Sequence, residues 1–268
     1  MRAAAALLAA LLVAGSAGAA GLKGIKGDDD RVTVAASEYP WSTVGRLHNG
    51  QGGHCSGVLI GPRLAVTAAH CLWNRKTRRP MPAIALHFVA GWERGEYLRA
   101  APVARYEIAP DWRFGVAYGF GPASVDWALL ELAEPLGDEV GWMALGPAPV
   151  QGQAVTTVGY GQDRKHVPTA HIGCHVTGRL AEGAWVHDCD AVHGDSGAPV
   201  LVWDGGMPRL VAIHVATFSR DGAPSQGGAV GVDAFGAVAA RMGAAPRSRP
   251  GPLSKPLDDA VRARLDGR

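Results

Sequence analysis

Short apolar runs separated by glycine, proline and aspartate dominate the chain from Val32 onward. The runs are rich in valine, isoleucine, threonine and aromatic residues, a composition typical of β-strands. The pattern predicts an all-β sandwich or barrel. Its expected strands are STVGRLH (42–48), CSGVLIG (55–61), RLAVTAA (63–69), AIALHFVAG (83–91), WALLELA (127–133), AVTTVGYG (154–161), HIGCHVTGRL (171–180), APVLVW (198–203) and RLVAIHVAT (209–217).

One later segment has helical periodicity. The apolar residues of VDAFGAVAARMG (232–243) fall on one face of a helix, which Gly243 can end. The segment 244–268 begins rich in proline and arginine, and its last part, 257–267, could form a short amphipathic helix. We expect a C-terminal helix followed by a flexible tail.

The N-terminal residues MRAAAALLAALLVAGSAGAA (1–20) have the positive start, apolar middle and small residues of a secretory signal peptide. The apolar run is short for a membrane anchor, and no other segment is apolar for long enough to cross a bilayer. Residues 21–31 are glycine-rich and charged, which favours a disordered pro-segment. We expect a secreted or periplasmic protein that leaves the membrane when the signal peptide is removed.

Composition and charge narrow the classes of function. The chain has 268 residues, 47% apolar and 19% charged, which is enough to bury a core in one or two lobes. The formal net charge is only +2, and the basic cluster RKTRR (75–79) is short and bounded by proline. We interpret that cluster as a solvated loop, so we expect no nucleic-acid partner.

The chain has an even set of cysteines: Cys55, Cys71, Cys174 and Cys189. In an exported protein such a set predicts two disulfides. Three pairings are possible, and proximity along the chain favours Cys55–Cys71 and Cys174–Cys189. Zinc is the competing interpretation, because three histidines (His171, His175 and His187) lie close to the second pair, but the spacings match no closed Cys/His site well. We predict no metal and no cofactor.

Three segments carry the residue types of a nucleophilic catalyst: TAAHC with His70, SVDWALLEL with Asp126 and GDSGAP with Ser196. A serine nucleophile needs a base, and the base needs a carboxylate to hold its tautomer and balance its charge. Asp111 is a rival acid, but it lies in a turn bounded by proline and tryptophan. The glycines of GDSG permit a tight turn, in which the amides of Gly194 and Ser196 can form an oxyanion hole.

Together, TAAHC, DWALLEL and GDSGAP resemble the signature segments of the chymotrypsin/trypsin-like serine peptidases, over about residues 32–243. The resemblance implies two packed six-stranded antiparallel β-barrels with the catalytic residues in the cleft between them. It implies that His70 is the general base, Asp126 its orienting acid and Ser196 the nucleophile, with a disulfide beside the histidine. The low cysteine count and the IHV segment are similar to the bacterial secreted branch, which includes the glutamyl endopeptidases.

Three residues depart from the family pattern. Trp127 stands where a small aliphatic residue usually follows the aspartate, and Ala198 replaces the commoner glycine after GDSG. Cys189 lies seven residues before Ser196, which differs from the offset common in the animal enzymes. None of these changes removes a catalytic atom, but the last one affects the expected shape of the specificity pocket.

The resemblance implies a monomeric secreted serine endopeptidase that cuts proteins or peptides through an acyl-enzyme intermediate. The alternative is a catalytically silent homologue that acts as a binding protein. Such homologues usually lose a triad residue, whereas all three are present here.

The residue preference of the enzyme is open at this point. Asp190, six residues before the nucleophile, lies where trypsin-like members carry a pocket aspartate that selects arginine or lysine. His214 lies where glutamyl endopeptidases carry a histidine that meets an acidic side chain, and the two residues could instead pair and leave a neutral pocket. Ala191 argues mildly against glutamate, so a basic preference is slightly ahead. His193 is a further candidate substrate-binding residue.

The segment DDDRVTVA (28–35) predicts an activation site. An acidic run followed by Arg31 is expected to be an exposed, flexible target for an activating protease. In the resembling family the new N-terminus folds inward and pairs with the aspartate before the nucleophile, which here would join Val32 to Asp195. The alternative is that residues 21–31 are only a spacer.

Overall fold

The computed structural model describes residues 22–50, 52–115, 121–218 and 225–267. The predicted signal peptide, residues 1–20, lies outside the described residues. None of the helices in the described ranges is long and apolar enough to cross a membrane.

Strands make up most of the regular structure. In chain order they are β1 (Val32–Thr33), β2 (Val44–His48), β3 (His54–Leu59), β4 (Leu64–Thr67), β5 (Trp73–Asn74), β6 (Arg79–Pro80), β7 (His87–Ala90), β8 (Arg99–Ile108), β9 (Ala128–Leu132), β10 (Gly141–Trp142), β11 (Ala144–Leu145), β12 (Ala154–Gly159), β13 (Thr169–Arg179), β14 (Trp185–His187), β15 (Pro199–Asp204), β16 (Met207–Phe218), β17 (Gln226–Gly231) and β18 (Arg249–Pro250). The α-helices are α1 (Leu136–Val140), α2 (Val232–Arg241) and α3 (Asp259–Leu265). Short 3-10 helices occupy Trp41–Thr43, Ala69–Leu72, Ala83–Ala85, Gly121–Val125 and Gln162–Arg164.

The first barrel closes through six antiparallel strands in the order β2-β3-β4-β9-β8-β7. The fully buried Phe88 packs against two neighbouring strands at positions without side chains. A Cβ atom would lie 2.5 Å from its ring at Gly45 and 3.1 Å from it at Gly57. These glycines therefore give one large aromatic ring the room it needs in the barrel core.

The second barrel closes through β12, β15, β16, β17, β14 and β13, because β13 pairs with both β12 and β14. Strand β1 adds to the start of β13, and β11 pairs with β16. The predicted fold is confirmed, with two six-stranded antiparallel barrels and a helix after them. Trp127, one of the departures from the family pattern, is buried and packs at 6.2 Å from Phe235 of α2.

Three of the twelve barrel strands are not predicted by the sequence pattern: β8, β14 and β17. Strand β8 contains a proline and alternates small with charged residues, so its apolar face is weak. Strand β17 (QGGAVG) offers almost no side chains to form a pattern. Its glycines have a packing reason, because a Cβ at Gly227 would lie 2.1 Å from the ring of His187.

Both predicted disulfides are present and follow proximity along the chain. Cys55 is bonded to Cys71, and Cys174 is bonded to Cys189. The second bond contradicts the competing zinc interpretation, because a half-cystine has no thiolate to offer a metal.

The two terminal segments differ from their expected flexible state. Residues 22–31 lie against the second barrel, where the N–H of Ala191 donates to Gly24 at 3.2 Å. The segment after α2 returns to the first barrel, where the N–H of Ala245 donates to Ile60 at 2.8 Å. It continues through β18, which pairs with β10, and ends in α3, which Asp258 caps. The polar composition hid these contacts, which are made largely by backbone groups.

Candidate active site

His70 and Asp126 meet at one end of the first barrel. The register of β4 with β9 pairs Thr67 with Ala128, so the 3-10 helix after β4 and the residues before β9 lie side by side. Nδ1 of His70 lies 2.7 Å from Oδ2 of Asp126, and the backbone N–H of His70 donates to Oδ1 at 2.9 Å. Asp126 is fully buried, whereas the rival Asp111 is exposed. The carboxylate accepts from Nδ1, which leaves Nε2 as the basic atom of the neutral ring.

Ser196 lies beside the disulfide that follows His70. Its carbonyl oxygen accepts the N–H of Ser56 at 2.8 Å and lies 4.0 Å from Sγ of Cys71. A ring nitrogen of His70 lies within 4.8 Å of both sulfurs of the Cys55–Cys71 bond. The structure therefore brings the predicted base and nucleophile to the same disulfide, and their side chains are not hydrogen-bonded to each other.

The turn at Ser196 requires Gly197. This glycine has a φ of 84°, and a Cβ there would lie 2.2 Å from the carbonyl oxygen of Ser56. Its N–H donates to the carbonyl of His214 at 2.7 Å, which ties the turn to β16. The motif glycine thus serves both a left-handed backbone and a close approach to β3.

The candidate oxyanion loop presents two amides without partners. Within the described part of the chain, the N–H groups of Gly194 and Ser196 form no hydrogen bond, whereas those of Asp195 and Gly197 do. Ser56 fixes the loop, because its hydroxyl donates to the carbonyl of Gly194 at 3.0 Å. Two free amides on a fixed loop are what an oxyanion hole needs.

Asp195 is a buried carboxylate with incomplete compensation. Its Oδ2 accepts the N–H of Val192 at 2.8 Å and lies 4.0 Å from Nη1 of Arg31. Its Oδ1 is buried without a hydrogen-bond partner. Burial raises the pKa of Asp195 to about 7, although Val192 and Arg31 favour the charged form.

Arg31 is buried. The expectation that it is an exposed, flexible target for a protease is therefore wrong for the uncut chain. Its side chain is only 2% exposed and forms ion pairs with Asp29 at 2.9 Å and Asp163 at 2.6 Å. Burial lowers the pKa of Arg31, but the bonds to these two carboxylates outweigh that effect and raise it. Arg164 also donates to the carbonyl of Arg31 at 3.0 Å. Asp163 and Arg164 therefore hold the N-terminal segment.

Val32 is paired with Ala170 in β1, and its nitrogen is in the peptide bond with Arg31. The cation near Asp195 in the uncut chain is thus the guanidinium of Arg31, one residue before the predicted new N-terminus.

The N-terminal segment covers the carboxylate of Asp190. The N–H groups of Lys26 and Asp30 donate to its two oxygens at 2.8 and 3.1 Å. The ammonium of Lys26 also donates to the carbonyl of Cys189. Nδ1 of His171 accepts the N–H of Asp190 at 2.9 Å, so this nitrogen carries no proton. The predicted alternative in which Asp190 pairs with His214 is not realised.

His214 pairs instead with His187, which the sequence marked only as one of three histidines close to the second cysteine pair. Nε2 of His187 lies 3.0 Å from Nδ1 of His214, and Nδ1 of His187 accepts the N–H of Cys189 at 3.2 Å. The proton of His187 therefore lies on Nε2, and His214 carries its own proton on Nε2. Burial lowers the pKa of both rings, that of His214 to about 3. The available sequence signal was the glycine-rich β17, which leaves room for the His187 ring.

His193 is exposed beside the oxyanion loop. Its carbonyl accepts the N–H of Gln162 at 2.7 Å, which fixes its backbone. Partial burial lowers the pKa of its ring, and the charges of Arg75 and His70 add to that effect.

The family profile described as Trypsin matches residues 30–238, and the chain belongs to the trypsin family of serine peptidases. The chain is 28% identical over 200 residues to a glutamyl endopeptidase of Bacillus licheniformis. The matched region covers 70% of this chain and 59% of that protein. It is 27% identical over 199 residues to serine protease 23 of Bos taurus, with coverages of 66% and 51%. The chain thus spans less than two thirds of either curated relative.

The fold is also similar to a solved structure of a Glu endopeptidase in complex with MPD. The TM-score is 0.66 at 20% identity, and the match covers 81% of this chain and 98% of the other. The resemblance to the chymotrypsin/trypsin-like serine peptidases is confirmed, and the chain is similar to glutamyl endopeptidases.

Proposed function

We propose that this chain is a secreted or periplasmic serine endopeptidase that uses His70, Asp126 and Ser196. The observation that carries the proposal is the pair of hydrogen bonds that joins His70 to the buried carboxylate of Asp126, at 2.7 and 2.9 Å. These bonds orient the ring and fix the proton on Nδ1, so Nε2 is ready to act as the base.

The reaction proceeds in two halves. Nε2 of His70 takes the proton of Ser196 Oγ, which attacks the peptide carbonyl, and the N–H groups of Gly194 and Ser196 stabilise the oxyanion. His70 then gives the proton to the leaving amine, which leaves an ester on Ser196. Water, deprotonated by the same ring, hydrolyses that ester and restores the serine.

A fluorophosphonate probe tests this proposal against a silent binding homologue. The wild type should be labelled, Ser196→Ala should not, and Ser37→Ala should be labelled like the wild type. If processed wild-type protein resists the probe, the silent homologue is the better description.

We further propose that the enzyme prefers an acidic side chain before the scissile bond. The support is the His187–His214 pair, in which a neutral ring offers an N–H donor from Nε2 of His214. A relative of this chain is named a glutamyl endopeptidase. The competing basic preference needs a free Asp190. The uncut chain holds that carboxylate with the N–H groups of Lys26 and Asp30, and the cleavage proposed below would remove both, so the two preferences are compared in the trimmed chain.

Residues 21–31 are proposed to be a pro-segment that an activating protease removes by cleavage after Arg31. The support is the cavity between Asp190, Asp195 and His214, which has only about 10 Å³ and is closed in part by Arg31. Such a volume holds at most about one water, so no substrate side chain fits there. After cleavage the ammonium of Val32 would take the place of the guanidinium near Asp195 and order the loop.

The proposed partners are protein or peptide substrates and the activating protease, and the enzyme is proposed to act as a monomer. The family and the catalytic chemistry above support the proposed substrates.

A further inference from the structure

Arg46, on β2, is a buried cation without a carboxylate partner. It is 8% exposed, and its Nη1 donates to the carbonyl of Lys165 at 3.0 Å. No carboxylate oxygen of the described residues lies within 4.0 Å of its guanidinium. The guanidinium lies 4.9 Å from the ring centre of Trp92, and burial lowers the pKa of Arg46. A buried, unpaired charge is costly unless a ligand compensates it.

This cation lines an open pocket of about 540 Å³. His48, His87, Trp92 and Tyr97 also line it, and none of the described lining residues is acidic. Three polar atoms here are buried without a hydrogen-bond partner: Nε of Arg46, Nε2 of His48 and Nε1 of Trp92. The pocket therefore combines a positive charge with aromatic walls, the unpartnered atoms lie beneath its surface, and its volume is within the usual range for ligand sites.

The pocket lies next to the strand that supports the oxyanion loop. Arg46 is opposite Ser56 and His48 is opposite His54 in the ladder of β2 with β3. Residues directly opposite each other point to the same face, and neighbouring strands are about 4.8 Å apart. Ser56 itself donates to the carbonyl of Gly194 at 3.0 Å. The pocket therefore lies on the strand next to the one that contacts the loop of Ser196.

We propose that the pocket formed by Arg46, His48, His87, Trp92 and Tyr97 is an exosite that binds an acidic side chain of a protein substrate. The carboxylate pairs with the guanidinium of Arg46, and the aromatic walls cover the methylene groups of the side chain. That the bound protein is a substrate rests on the proposed endopeptidase function. The binding of the carboxylate does not depend on catalysis.

Binding is measured in the Ser196→Ala background, where no probe is consumed. Fluorescein-labelled hexaglutamate and hexaglutamine are titrated by fluorescence anisotropy. We expect hexaglutamate to bind more tightly, and Arg46→Gln to weaken it about tenfold or more, since one charge-assisted pair is lost. Arg99→Gln is the matched control, because Arg99 is an exposed arginine already paired with Glu139, and it should leave binding unchanged.

A second variant guards against misfolding of Arg46→Gln. Tyr97 is 54% exposed at the pocket rim, so Tyr97→Glu should fold and should repel hexaglutamate about tenfold by supplying an internal carboxylate. Equal binding of the two peptides to the parent protein overturns the exosite. So does a loss of binding in His214→Ala without a loss in Tyr97→Glu, because the anion then binds in the cleft.

A kinetic measurement in the active enzyme completes the test. Tyr97→Glu should raise the KM for a protein substrate with an acidic tract about tenfold, and leave kcat and the hydrolysis of a short chromogenic peptide unchanged. If the enzyme hydrolyses nothing but hexaglutamate binding still depends on Tyr97→Glu, the proposed function fails and the site stands. If both substrates respond equally to Tyr97→Glu, the exosite is wrong.

Discussion

Nε2 of His187 lies 3.0 Å from Nδ1 of His214, and this bond leaves the proton of the neutral His214 ring on Nε2. Both rings are buried and both pKa values are lowered, so the pair is neutral around neutral pH. The N–H of a neutral ring can bind the carboxylate of an acidic side chain, and the ring itself then adds no charge to the buried site.

His214→Ala should therefore reduce kcat/KM for cleavage after glutamate about 100-fold, the cost of leaving a substrate carboxylate without its donor. Asp190→Asn should change that value little, and it is the matched control for the pocket. The measurement is the cleavage profile of a mixed peptide library. If Asp190→Asn abolishes cleavage after arginine or lysine in the wild-type profile, the basic preference is correct and the acidic one is wrong.

Removal of the nucleophile should abolish hydrolysis. Ser196→Ala should reduce kcat about 10⁶-fold, and His70→Ala should reduce it by a similar factor. The double variant should be scarcely worse, because the two groups act as a unit. Turnover of a peptide ester at saturating substrate is the measurement, and near-normal turnover in either variant would remove it from the catalytic set.

Asp195 should make the uncut protein less stable as the pH rises. Its pKa is raised from 3.8 to about 7 in the folded state, so the folded state binds more protons than the unfolded state between these values. Stability is lost as the pH rises from about 4 to about 7, by at most about 4 kcal/mol. Asp195→Asn should remove this loss, as measured by urea unfolding at pH 5 and 7.5.

The free energy of unfolding of Asp195→Asn must be compared with that of the wild type at each pH, because His214 changes the stability with pH in the opposite direction. Its pKa is lowered from 6.5 to about 3, so its contribution is lost as the pH falls through that window. An unchanged difference between wild type and Asp195→Asn at the two pH values would show that Asp195 is charged in the folded state throughout.

Gly197→Ala should destabilise the protein more than a positive φ alone explains. Gly206 has a similar φ of 78° and open space at its Cβ, so Gly206→Ala measures the backbone strain alone, about 1–2 kcal/mol. Gly197→Ala should cost about 1–3 kcal/mol more, because its Cβ meets Ser56. Equal melting shifts for the two variants would contradict the close approach of the turn to β3.

A chain that begins at Val32 should be more active than one that begins at Gly21, because the first has an open cavity at Asp190. Both are made by cleavage of an N-terminal fusion, and their kcat/KM values are compared. Arg31→Gln alone is a poor test, since loss of a buried cation between three carboxylates costs about 3–5 kcal/mol by itself. Equal activity of the two chains would favour the alternative in which residues 21–31 are only a spacer.

The sequence predicts what lies in contiguous motifs and misses what folding brings together. His70, Asp126 and Ser196 stand in recognisable segments. The apolar runs predict an all-β sandwich or barrel, and the family resemblance implies the two packed barrels. The partners of Asp190 did not emerge, because Lys26 is 164 positions away and bonds through its backbone N–H, which carries no sequence information. The pairing of His187 with His214 did not emerge from its position near the second cysteine pair, since only the missing side chain of Gly227 leaves room for the His187 ring.

The return of the C-terminal segment to the first barrel has a consequence for the order of folding. The N–H of Asp258 donates to Glu38 across 220 positions, and the N–H of Lys255 donates to Ser37 at 2.7 Å. Lys255 and Asp258 follow the second barrel in the chain, so a ribosome completes them after both barrels have been made. The first barrel to be synthesised is thus the last to gain all its contacts, and closing such a long loop is entropically costly. A chain that stops at the end of α2 would contain every predicted catalytic residue and lack the contacts that join its end to its beginning.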